Sequence, residues 1–177
     1  MGKIFPIFSG KKSEEEISEN YNQLLATIVA EAKSAERAGE IHIVNNPEEF
    51  IRGKISSFVL DQKMLDLDIL RCTLYTAKMI AHNFNNVPES YYATDYFLKG
   101  VDDNDPNLIL RGADFCFLVC SLFPPRAYRR VMKSADYANL GRQMYYHFYG
   151  MTQKTIGLSM GNTFSTMTDI VREVIAH

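Results

Sequence analysis

Apolar residues recur at helical spacing along almost the whole chain. Ile17, Tyr21, Leu24, Ile28 and Ala35 form a first stripe, opened by the capping box of Ser13 to Glu16 and closed by Gly39. Residues 41–44, Ile-His-Ile-Val, could be extended, but one short strand would have no partner. A second helix starts at Asn46 and Pro47, where proline's missing amide costs nothing, and carries Ile51, Ile55, Phe58 and Val59. A third covers Leu65 to Phe84 through Leu67, Leu70, Leu74, Ala77 and Ala81, with an ambiguous break over residues 62–66. A short aromatic helix is expected from Pro88 to Lys99, with Gly100 just past its end.

The next helix departs from this pattern. It is expected over residues 106–123, with Asp105 as N-cap and Pro106 in the first position. Its apolar residues cover all sides, which marks a buried central helix. Pro124 and Pro125 stop it and open a sixth helix running to about Met151. "GLSMGN" then reads as a break before a last helix from Thr163 to Ile175. The expected fold is all-α: a single-domain bundle of about seven helices around the central one. Residues 1–12 are expected to be a flexible N-terminal segment and 13–177 the helical domain.

Length and charge narrow the function. A chain of 177 residues can bury a core without disulfide or metal staples. With a net charge of −2, the chain as a whole exerts no general attraction on nucleic acid or an anionic membrane. No apolar run reaches the ~20 residues of a membrane span. The three cysteines, Cys72, Cys116 and Cys120, sit in apolar segments and read as reduced core thiols of a cytoplasmic protein. None of the four histidines lies at ligand spacing, and no phosphate loop, dinucleotide fingerprint or nucleophile elbow is present. No metal or cofactor is expected.

Several side chains remain to be explained. Arg111 and Asp114 stand three apart in the otherwise apolar helix, so a buried ion pair between them is expected. On the sixth helix, Ala127, Val131, Ala135, Ala138, Gly141, Tyr145 and Tyr149 share one sector. Ala138 and Gly141 are expected to face either the central helix or a second copy of their own helix. Arg142 falls inside that apolar sector, so it must pair, snorkel or meet a partner. Arg126, Arg129, Arg130 and Lys133 gather at the helix start, the wrong end for the dipole. They either pair with acids such as Asp102 and Asp103 or await an anionic partner.

The stretches "ADFCFLVCSLFPPR" and "YANLGRQMYY" resemble a family of bacterial helical proteins with no assigned activity. Its pattern is Gly-Asp, an apolar run, Gly-Leu-Phe-Pro-x-Arg, then Tyr-x-x-x-Gly-x-x-x-Tyr. Here it falls on Asp114, Leu122, Phe123, Pro124, Arg126, Tyr137, Gly141 and Tyr145, with Ala113 and Ser121 replacing family glycines. The resemblance implies a soluble bacterial protein with a helix–proline–helix centre. No catalytic constellation emerges, so the expected role is non-enzymatic. The chain would act through an unknown protein partner or as a homodimer, using Arg111, Asp114, Arg126, Arg129, Arg130, Tyr137, Arg142 and Tyr145 as binding candidates. The alternative is a ligand or enzymatic pocket built on Asp114, Arg142 and tyrosines. A third reading is RNA binding by the basic start of the sixth helix, with Tyr128 and Tyr137 stacking on bases.

Overall fold

The computed structural model describes residues 21–32, 47–84, 86, 88–123 and 132–176, and among them the chain forms seven helices and no strand. They are α1 (21–32), α2 (Pro47–Asp61), α3 (Leu67–Phe84), α4 (Ala93–Asp102), α5 (Pro106–Leu122), α6 (Ser134–Thr152) and α7 (Thr155–Ala176). The all-α single-domain expectation holds. The N-terminal segment, the capping box, residues 41–44, and Arg126, Tyr128, Arg129 and Arg130 lie outside the described residues.

The ambiguous break over 62–66 is a glycine-free helix stop. Lys63 takes the left-handed conformation at φ 55°. Its N–H bonds the Leu60 carbonyl at 3.0 Å, and the Met64 N–H bonds the Val59 carbonyl at 2.9 Å. Two carbonyls left over at the end of α2 are thereby satisfied. Asp66 then starts α3, its Oδ1 accepting from the Asp68 and Ile69 amides at 2.9 and 3.4 Å. The same geometry ends α4, where Asn104 has φ 51° and the Asp105 N–H reaches the Gly100 carbonyl at 2.8 Å.

Two expected boundaries are therefore corrected. Gly100 does not stop α4; it lies buried inside the helix, where a Cβ would come 2.5 Å from Ile109 Cγ1. Nor does "GLSMGN" break the chain. Gly157 and Gly161 sit within α7, and a Cβ at Gly161 would meet the Tyr146 ring at 2.5 Å. The stop falls earlier, at Gln153, which turns left-handed at φ 57° while its N–H bonds the Tyr149 carbonyl at 2.7 Å. The sixth helix is described from Ser134, with Lys133 as its N-cap residue.

Helix α5 is central, as its composition requires. Asp105 caps it by accepting from the Asn107 and Leu108 amides, and the helix packs on α4, α6 and α7. Leu108, Ile109, Ala113, Cys116, Phe117 and Val119 are among its buried residues. It is not apolar on every side, because Arg111 faces solvent. Helices α2 and α3 complete the bundle against α7. Crossings are close where glycine removes the side chain: a Cβ at Gly112 would lie 2.6 Å from Tyr96 Cβ, and one at Gly141 would lie 2.7 Å from Cys116 Cβ. Among the described residues no helix is long and apolar enough to cross a membrane.

Candidate functional site

Asp114 is the carboxylate of the central helix, and its partners are tyrosines. The Tyr75 hydroxyl, from α3, donates to Oδ1 at 2.7 Å and Oδ2 at 2.9 Å. The Tyr145 hydroxyl, from α6, donates to Oδ1 at 2.6 Å. One carboxylate thus ties α3, α5 and α6 together. Tyr145 is buried and Tyr75 half-buried. Asp114 itself keeps a little exposure, yet the protein around it is dense enough that burial dominates. Burial raises its pKa from the usual 3.8 to about 7, against the lowering effect of the Tyr145 and Tyr75 hydrogen bonds. The same burial and the nearby carboxylate hold both tyrosines well above their ordinary value.

The expected Arg111–Asp114 ion pair does not form. Side chains three apart share a face only loosely, and here burial separates them. Arg111 points outward and pairs with Glu89, both well exposed. Such a surface pair contributes about 0–1 kcal/mol. Arg111→Ala is therefore expected to leave the denaturant midpoint almost unchanged; a loss above about 2 kcal/mol would show that Arg111 supports the core after all.

The other predicted residues scatter. Tyr137 is buried, edge-on to Phe115 with ring centres 6.5 Å apart, so neither it nor Tyr145 offers a contact surface. Arg142 is half-buried, the snorkelling position its place on α6 allows. Ala135 is exposed, so the small-residue sector of α6 does not face inward along its length; the buried face carries Tyr137, Gly141, Met144, Tyr145 and Phe148. Gly141 meets Cys116 of α5 and Phe164 of α7, so this close approach is internal to one chain.

A second polar group lies along the α3–α7 contact and escaped the sequence reading. The Ser159 hydroxyl donates to Asp68 at 2.6 Å, and Asn162 donates to the same carboxylate at 3.4 Å. Tyr146 donates to Asn162 at 3.1 Å, and Thr163 donates to the Cys72 sulfur at 3.3 Å. The signal was available: Asp68, Cys72 and Tyr75 follow helical spacing along one face of α3. Chemically this group is quiet. Burial pushes the Cys72 thiol up to about 12 and Cys120 to about 11, and raises Cys116 as well, so none is a thiolate at neutral pH. Among the described residues no group of three or more His, Cys, Asp or Glu is placed to hold a metal ion.

What remains at the surface is apolar. Leu98 and Val101 stand exposed three apart on α4, Leu98 at 62% of its full area. Tyr91 and Tyr92, just before the helix, are exposed at 68% and 55%. Asp95, Lys99, Asp102 and Asp103 lie exposed among them. The inner face of α4, with Ala93, Tyr96 and Gly100, is buried on α5. Compared with known families, curated proteins and solved structures, the chain shows no match.

Proposed function

We propose that the protein is a helical binding domain that works by docking another protein on the outer face of α4. The observation that carries this reading is the exposure of Leu98 and Val101 on a firmly packed helix, with Tyr91 and Tyr92 exposed immediately before it. Scattered exposed apolar residues mean little, but a local group of them, rich in tyrosine, has the composition of an interface. Three aspartates against one lysine favour a partner that sets basic residues beside its own apolar anchors. The three buried cysteines without a disulfide fit a reducing, cytoplasmic setting.

The test is site-specific photo-crosslinking in the cells that make the protein. A photoreactive phenylalanine analogue replaces Leu98 in one strain and the exposed Ser165 of α7 in another. Position 98 is expected to give a discrete adduct that position 165 does not. An adduct at twice the chain mass would replace the proposed partner with a homodimer. No adduct, or identical adducts at both positions, would remove α4 as the docking face.

A further inference from the structure

We propose that the outer face of α4 is the docking place of the chain's own N-terminal segment, residues 3–12, which covers it until a protein partner displaces it. This occupancy rests on the reading of α4 as a docking face and names the occupant always at hand. The face combines apolar surface with uncompensated negative charge. Leu98 and Val101 are exposed three apart on the helix. Asp95 stands three positions before Leu98 and Asp102 four after it, so carboxylates flank the leucine along one side of α4. Asp103 follows at the helix end. Among the described residues no cation pairs with Asp102 or Asp103, and Lys99 is the single basic side chain between them and Asp95.

Residues 3–12 lie outside the described residues, and their sequence, Lys-Ile-Phe-Pro-Ile-Phe-Ser-Gly-Lys-Lys, has the complementary composition. Ile4, Phe5, Ile7 and Phe8 supply large apolar anchors, bracketed by Lys3 on one side and by Lys11 and Lys12 on the other, with no acid among them. Laid on α4, the anchors and the exposed Leu98 and Val101 leave water together, and the lysines meet Asp95, Asp102 and Asp103. The length of chain permits this. The described residues begin at Tyr21, whose hydroxyl donates to the Leu65 carbonyl at 3.0 Å. Even with residues 13–20 helical, as the capping box predicts, Phe8 can stand about 28 Å from Tyr21. A chain of this length folds to a radius of gyration of about 16 Å. A short tether holds the segment at an effective concentration on the order of millimolar, so a contact too weak to retain a separate peptide still covers the face. A partner with the same chemistry and more contacts displaces it.

Paramagnetic relaxation in the full-length protein tests this. A nitroxide is attached at Ser9→Cys; the three native cysteines are buried, which leaves the new thiol as the accessible one. The amide signals of Leu98 and Val101 are expected to broaden, and that of the exposed Ser165 on α7 to stay sharp. A mixture of spin-labelled chains without isotope and isotope-labelled chains without spin label is expected to show no broadening, because the contact is made within one chain. Leu98→Glu removes the apolar half of the match, and Lys11→Glu with Lys12→Glu the charged half. Both change exposed or N-terminal positions, and each is expected to abolish the broadening at Val101. Sharp α4 signals, broadening spread evenly over the surface, or broadening that survives both variants would overturn the docking of the segment. Broadening in the mixed sample would overturn it in favour of a contact between copies. If α4 stays sharp while a photoreactive group at position 98 still captures a partner in cells, the segment is excluded and the docking face stands; if neither signal appears, both are excluded.

Discussion

Replacing Gly141 by leucine will destabilise the fold by about 3 kcal/mol or more, the upper end of what core overpacking costs. A Cβ at this position alone would stand 2.7 Å from Cys116 Cβ and 2.8 Å from Phe164 Cε2. The phenyl ring could tilt, but Cys116 Cβ is fixed to the backbone of the central helix, so α5 and α6 must move apart. That separation would also strain the Tyr145–Asp114 hydrogen bond, which crosses the same pair of helices. Even Gly141→Ala is expected to lose stability, despite alanine's advantage of roughly 1 kcal/mol inside a helix. Denaturant unfolding followed by circular dichroism measures both. Because the contact lies within one chain, the loss will not depend on protein concentration. A leucine variant as stable as the wild type would show that α5 and α6 do not approach as closely as described.

Asp114→Ala will cost about 3 kcal/mol near pH 5. The mechanism is loss of a shared partner: the hydroxyls of Tyr75 and Tyr145 are left facing each other across a small void with no carboxyl between them. Each buried unsatisfied hydroxyl costs about 1–3 kcal/mol, and Tyr145, fully enclosed, cannot turn to water. The loss should shrink as pH rises, because the wild type then carries an ionised carboxylate that burial disfavours. Thermal unfolding of wild type and variant at pH 5 and pH 9 shows the trend. A loss that grows with pH would mean that the charged form is the stabilising one.

The sequence and the structure part company at identifiable places. The helical content, the capping of α5 by Asp105 and the central position of α5 were legible, because each depends on neighbours within one or two turns. The glycine stops were misread for a common reason. Gly100, Gly157 and Gly161 punctuate the sequence like helix ends, but each is used for close helix contact, while Lys63, Asn104 and Gln153 make the left-handed turns. Local chemistry cannot distinguish these uses; the neighbouring helix decides. Asp114 was singled out correctly as the charge that needs a partner. The partner was mistaken because Arg111 is near in sequence, whereas Tyr75 is 39 positions away and Tyr145 31. The pattern Tyr137, Gly141, Tyr145 acquires a physical meaning here, as one buried face of α6 laid against α5. The exposed stripe of α4 was hidden in the sequence by aromatic residues that looked equally suited to a core.

Folding stability is tied to the protonation state of the Asp114 carboxyl group, and the pH dependence of unfolding tests that tie most directly. A group whose pKa rises from 3.8 unfolded to about 7 folded gives stability that is complete below pH 4 and is lost as pH climbs through 7. Across that window each pH unit costs about 1.4 kcal/mol, or roughly 4 kcal/mol in all. Asp114→Asn keeps a polar group of the same shape that cannot ionise, so the other titrating groups cancel between the two proteins. Unfolding free energies of wild type and Asp114→Asn, measured by denaturant from pH 4 to 8, are predicted to converge on a difference that moves by roughly 4 kcal/mol in favour of asparagine as pH rises. A difference that stays constant, or moves the other way, would contradict the protonated carboxyl group at the centre of the fold.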